Sequence, residues 1–162
     1  QMDLFFSANG IGSCWQGMPK PTKEILNSSK LEFVILLAFG KPKETLHRES
    51  ISEFKRKPIG EITDMKGADE LLEPARLAPS AMNKQLWFFT GNASAIHAYR
   101  AKSSFLTAFM FDRTSKISMG IAICHVWIAA KHFGKEVKFI DDQEARNKPP
   151  AGHDYVITIK IK

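Results

Sequence analysis

The chain has 162 residues, 44% of them hydrophobic and 25% charged, which is enough for a globular domain with a sizeable core. Its longest apolar stretch, Ile117 to Ala130, is too short to span a bilayer and is broken by Ser118, Gly120 and His125, and the first residues lack the basic start and apolar run of a secretory signal. The net charge of +6 favours anionic partners, phosphorylated cofactors as much as nucleic acids, but no zinc-finger, RNA-recognition or helix-turn-helix signature accompanies it, so no specific nucleic acid and no membrane is expected. Two cysteines, Cys14 and Cys124, are too few for a disulfide scaffold and suit reduced thiols in a cytoplasmic protein.

In chain order, Gln1 to Asn9 reads as the tail of an apolar helix, punctuated by Gly10-Ile11-Gly12-Ser13. Pro21 to Asn27 predicts a short helix with proline in its first turn, and Leu31 to Phe39 a buried central strand. Charged, proline-punctuated residues from Lys41 to Thr63 suit an extended surface arm. Lys66 to Leu77 carries helical spacing, interrupted near Pro74. Leu86 to Thr90 and Ile96 to Arg100 read as strands. Ser115 to Phe133 is the strongest helix, with Thr114 or Ser115 as its cap, and it is apolar nearly all round, as a helix buried on most sides would be. Glu136 to Ile140 and Tyr155 to Ile161 complete the strands. Helices and strands do not alternate regularly, so the pattern predicts an α+β fold, a mixed or antiparallel sheet flanked by helices.

A weak internal echo runs through this order. An offset of 124 residues brings Gly10 onto Gly134 and lays Glu32 to Leu37 on Val156 to Ile161. Either two helix–strand pairs agree by chance, or a helix–loop–strand unit is duplicated. In the second case Gln1 corresponds to His125, and 59 residues equivalent to Lys66 through Cys124 are expected upstream of this chain.

Two segments could carry chemistry. In Gly10-Ile11-Gly12-Ser13-Cys14-Trp15-Gln16-Gly17, glycines let the backbone approach a flat ligand and turn N–H groups toward it, although the same turn serves as a simple helix cap. It follows a helix rather than a strand, so it is not a dinucleotide fingerprint. In Ala78-Pro79-Ser80-Ala81-Met82-Asn83-Lys84-Gln85-Leu86-Trp87, Pro79 ends a helix and Ser80, Asn83 and Gln85 offer hydroxyl and amide groups; the plainer alternative is an ordinary helix–strand connection. Arg56 and Lys57, in the run Lys55-Arg56-Lys57, could pair with a phosphate or be solvated surface. His125 and His132 lack the partners and spacing of a metal site.

Together these segments resemble the nitroreductase family. Ala78 to Trp87 is similar to that family's APSxxNxQPW segment, with Leu86 where proline is usual; Gly10 to Gly17 is similar to its GLGSCWxG loop, and Phe54 to Ile59 to its C-terminal basic arm. The family order is inverted here, since the APSxxN-like segment follows the glycine loop. A duplicated single chain, as in the family's tandem-half subgroup, resolves the inversion as a pseudo-dimer: residues 1–63 as the C-terminal portion of a first half, 64–162 as a second, in one compact domain. The resemblance implies an FMN flavoprotein, an oxidoreductase that reduces nitro or quinone-like aromatic acceptors with NAD(P)H. It implies FMN contacts at Gly10, Ile11, Gly12, Ser13, Arg56, Lys57, Pro79, Ser80, Ala81, Asn83 and Gln85, with no obligatory protein acid or base. Half two's own loop, Gly134-Lys135-Glu136-Val137, lacks the Gly-Ser pattern, so one flavin per chain is expected. The family's N-terminal phosphate segment would lie upstream of Gln1. The competing expectation is a non-catalytic module completed by a partner chain, whether a homo-oligomer or the missing N-terminal fragment.

Overall fold

The computed structural model describes residues 1–102 and 105–162, and its contacts group the chain into two compact units, Gln1–Phe54 and Lys55–Lys162.

The first unit runs α1 (Met2–Ala8), β1 (Gly12–Gln16), α2 (Lys23–Asn27) and β2 (Leu36–Gly40), then a 3-10 turn at Ile51–Glu53. Gly10, at φ +69°, lets the chain turn back at the end of α1: its N–H reaches Ser7 O at 3.1 Å, and that of Ile11 reaches Phe6 O at 2.9 Å. This pair of bonds is a Schellman cap, which satisfies carbonyls that the helix itself leaves open. Thr22 caps α2 by accepting from Ile25 N, so Pro21 stands before the cap and not in the first turn. β1 and β2 are antiparallel, with Gly12 opposite Gly40 and Gln16 opposite Leu36.

The expected buried central strand at Leu31 to Phe39 is corrected here. Strand structure begins only at Leu36, Leu31 is 84% exposed and Phe39 65%. An apolar run is buried only where a sheet continues on both edges and is covered on its faces, and a two-stranded sheet offers neither. Among the described residues of this unit only Phe6, stacked on Phe39 with ring centroids 4.6 Å apart, is buried.

The second unit contains α3 (Asp69–Leu77), β3 (Trp87–Asn92), β4 (Ala95–Ala101), α4 (Phe105–His132), β5 (Val137–Ile140), α5 (Gln143–Asn147) and β6 (His153–Ile161). Its sheet has the order β3-β4-β6-β5 and is antiparallel throughout, the α+β arrangement that the irregular element order predicts. One sheet face, through Trp87, Phe89, Ile96, Ala98, Ile159 and Ile161, packs on Leu71, Leu72 and Ala75 of α3 and on Met119, Ala122, Val126, Ala129 and Ala130 of α4. The end of the expected surface arm is buried in this core instead: Ile62 is fully buried, Phe89 N donates to Ile62 O at 2.8 Å, and Thr63 bridges Phe89 in parallel.

Two helix expectations change. Pro74 does not interrupt α3; it lies within the helix, and its carbonyl accepts from His125 Nδ1 at 2.8 Å. α4 starts at Phe105, so Thr114 and Ser115 are not caps but interior residues, whose hydroxyls donate back to Phe111 O and Asp112 O. Such back-bonding satisfies a hydroxyl without ending the helix. Nor is α4 buried on most sides. Ser115, Ser118, Met119, Ala122, Val126, Ala129 and Ala130 form one buried stripe, while Gly120 and Lys131 are exposed and Ile117, Ile121 and Ile128 half-buried.

Candidate functional site

Among the described residues, the connection from α3 to β3 holds every non-glycine residue with a positive φ. After Pro79, Met82, Asn83 and Gln85 take φ of +52°, +54° and +47°. None is glycine. A residue with a Cβ in this left-handed region carries about 1–3 kcal/mol of strain and keeps the conformation only where its surroundings hold it there.

The surroundings do so with hydrogen bonds. Ser80 Oγ accepts from Gln85 N at 3.0 Å, and Ser118 Oγ, reaching from α4, accepts from Ala81 N at 3.0 Å. Gln85 is 4% exposed, and its amide is well used: Nε2 donates to Asn83 O at 3.0 Å and Oε1 accepts from Lys57 N at 2.8 Å. Lys57 Nζ donates to Gln85 O at 3.2 Å. Arg56 Nη1 donates to Asn83 Oδ1 at 2.9 Å, while Asn83 Nδ2 donates to Lys55 O at 2.7 Å. The basic run and the Ser80–Gln85 loop, apart in the sequence, are thus one hydrogen-bonded body.

Behind them, Glu73 accepts from Arg76 Nε at 2.7 Å and from Nη2 at 2.5 Å, and Arg76 Nη1 donates to Lys57 O at 3.2 Å. The hydrogen bond from Arg76 is the main reason the Glu73 carboxyl sits below its ordinary pKa. Ser118, Glu73 and Arg76 are the supports that sequence reading missed. Only Ser118 left a signal, as a hydroxyl on an otherwise apolar helix.

The chemistry of the donor set suits an anionic ligand rich in acceptors. Neither Lys55–Pro58 nor Ala78–Trp87 contains a carboxylate, and they carry four cations, Lys55, Arg56, Lys57 and Lys84. A small pocket behind the loop, lined among others by Ser80, Lys84, Trp87, Arg100 and Ser118, has room for about one water-sized molecule. On the loop itself Met82 is 70% exposed. Buried Trp87 Nε1 has no hydrogen-bond partner among the described residues.

The glycine segment lies in the other unit. There Gly10 serves as the helix cap, and the Ser13 hydroxyl donates to Asp3. Among the described residues no group of three His, Cys, Asp or Glu side chains could hold a metal ion, and no helix is long and apolar enough to cross a membrane. His97 faces Thr158 Oγ1 at 2.8 Å, and His47 the Ser7 hydroxyl at 3.0 Å.

Residues 1–130 match the family model described as "Putative TM nitroreductase". The chain belongs to this nitroreductase family. The matched span contains all three segments on which the resemblance was drawn: the glycine segment, the basic run and the Ala78–Trp87 loop. The fold agrees with that of a solved "putative nitroreductase" from Thermotoga maritima, with a TM-score of 0.60 at 21% identity. That alignment covers 98% of this chain and 58% of the other, so the chain spans somewhat more than half the length of its structural relative. No curated protein matches.

Proposed function

We propose that the chain is an FMN-dependent oxidoreductase of nitroreductase type, reducing nitro or quinone-like aromatic acceptors with NAD(P)H. The family match over residues 1–130 carries this reading, and the Ser80–Gln85 loop is the feature that fits it. When bound, flavin mononucleotide supplies the hydride chemistry, so the protein's part is to bind, orient and expose it. Pro79, Ser80, Ala81, Asn83 and Gln85 would hold it, with the Ser80 hydroxyl, which accepts from Gln85 N, as a donor toward it. Lys57 and Lys84 supply positive charge for the phosphate. Gly10, Ile11, Gly12 and Ser13 are proposed as contacts from the resemblance alone. Cys14 and Cys124 are not joined in a disulfide, as suits the reducing cytoplasm.

The duplication belongs to the same proposal. The runs α1–β1–β2 and α4–β5–β6 each close a helix with a Schellman glycine and then pair two antiparallel strands, which supports reading them as two copies of one unit.

Turnover tests the reading. With FMN added, the chain should oxidise NADH or NADPH in the presence of a quinone or a nitroaromatic, and a chain that binds FMN but oxidises neither nucleotide would overturn it. A second reading, a non-catalytic module completed by a partner chain, is favoured by the first unit's near-absence of core and by the exposure of Met2, Phe5, Leu31, Val34 and Phe39. Light scattering at several protein concentrations, read beside the turnover, separates the two: association without turnover supports the module.

A further inference from the structure

Arginines near a cofactor phosphate are usually read as its ligands. The geometry points instead to Arg56 as a positioning residue: we propose that its guanidinium clamps the Ala78–Gln85 loop in its ligand-ready conformation and does not pair with the phosphate. This inference rests on the flavin reading for the ligand, but not for the clamp itself.

Arg56 Nε donates to two carbonyls, Leu77 O at 3.2 Å and Ala78 O at 3.1 Å, where α3 ends. Its Nη1 donates to Lys55 O at 3.3 Å and to Asn83 Oδ1 at 2.9 Å. One planar group therefore ties the start of the loop to its left-handed residue, and these four acceptors are neutral amide oxygens. A guanidinium grips phosphate through two parallel N–H bonds on one edge, either Nε with Nη2 or Nη1 with Nη2. On each edge one nitrogen is already bonded to the loop. Gripping phosphate would mean releasing the helix end on one edge, or Lys55 O or Asn83 on the other, and so weakening the support of the strained residues Met82, Asn83 and Gln85. Without Arg56 the Asn83 side chain keeps a bond to its Oδ1 from Gln85 Nε2 at 3.2 Å and its own bond to Lys55 O at 2.7 Å, but nothing then ties it to the end of α3.

The test compares FMN with riboflavin, which has the same ring and ribityl chain but no phosphate, by flavin-fluorescence titration of wild type, Arg56→Ala and Arg56→Lys. A clamp weakens both ligands by the same factor, on the order of tenfold, and leaves their affinity ratio unchanged. Arg56→Lys, which keeps the charge but loses the planar fork, should behave like Arg56→Ala. Loss of FMN affinity alone, or full rescue by lysine, would overturn the proposal. Hydrogen exchange without flavin decides the clamp separately: the amides of Asn83 and Gln85 should exchange at least about tenfold faster in both variants, and unchanged exchange would overturn it. If wild type binds neither flavin, the functional reading fails while the exchange result still stands for or against the clamp.

Discussion

Gly10 and Gly134 occupy the same place in two helix ends. Each follows its helix at φ near +69° and +68°, and the next N–H reaches back five residues, Ile11 to Phe6 and Lys135 to Ala130, both at 2.9 Å. A Cβ added at either would meet nothing within 4 Å. Alanine there costs only backbone strain, about 1–2 kcal/mol. Urea denaturation of Gly10→Ala and Gly134→Ala should show losses of that size at both positions, and a neutral result at either would mean that its cap does not form.

Burial separates two leucines that look alike in the sequence. Leu72 is fully buried between α3 and the sheet, whereas Leu31 is 84% exposed. Leu72→Ala should destabilise by about 2–5 kcal/mol, and Leu31→Ala should stay within about 0.5 kcal/mol. A large loss at Leu31 would show that a partner covers that surface under the conditions of measurement.

Ser118 supports the loop from α4. Its hydroxyl accepts from Ala81 N at 3.0 Å while donating to Thr114 O at 2.8 Å. Ser118→Ala removes the acceptor and should cost about 1–3 kcal/mol, with faster exchange at the Ala81 amide. Ser118→Thr, which keeps the hydroxyl, should restore slow exchange.

Acid should act on the Glu73–Arg76 pair. Arg76 holds the Glu73 carboxyl below its ordinary value of 4.5 in the folded chain. The stability this contributes is present above the unfolded pKa and is lost as pH falls through the folded value. Between pH 7 and about 5, urea midpoints should be flat with respect to this group. Below about pH 4.5 wild type should lose stability more steeply than Glu73→Gln, and parallel curves would contradict the assignment.

Much of the candidate site is legible in the sequence as an address. Pro79, Ser80, Asn83 and Gln85 mark a loop at the end of a helix, and Trp87 opens the strand after it. The conformation of that loop is not legible. Met82 and Gln85 carry no local signal for a positive φ, because what holds them comes from Lys57, 28 positions before Gln85, and from Ser118, 37 positions after Ala81. Periodicity misplaces the start of α4 because Thr114 and Ser115 look like caps, and only the back-bonded geometry shows them to be interior. The apolar run at Leu31 reads as core for a similar reason: hydropathy reports what a segment would bury, not whether neighbours exist to bury it.

The most direct test of the central claim is an FMN titration of the purified chain, followed by quenching of flavin fluorescence. The flavin reading predicts saturable binding of one FMN per chain, weakened when Ser80 and Asn83 are both replaced by alanine. Absence of saturable binding by a folded chain, or binding indifferent to those replacements, would contradict it.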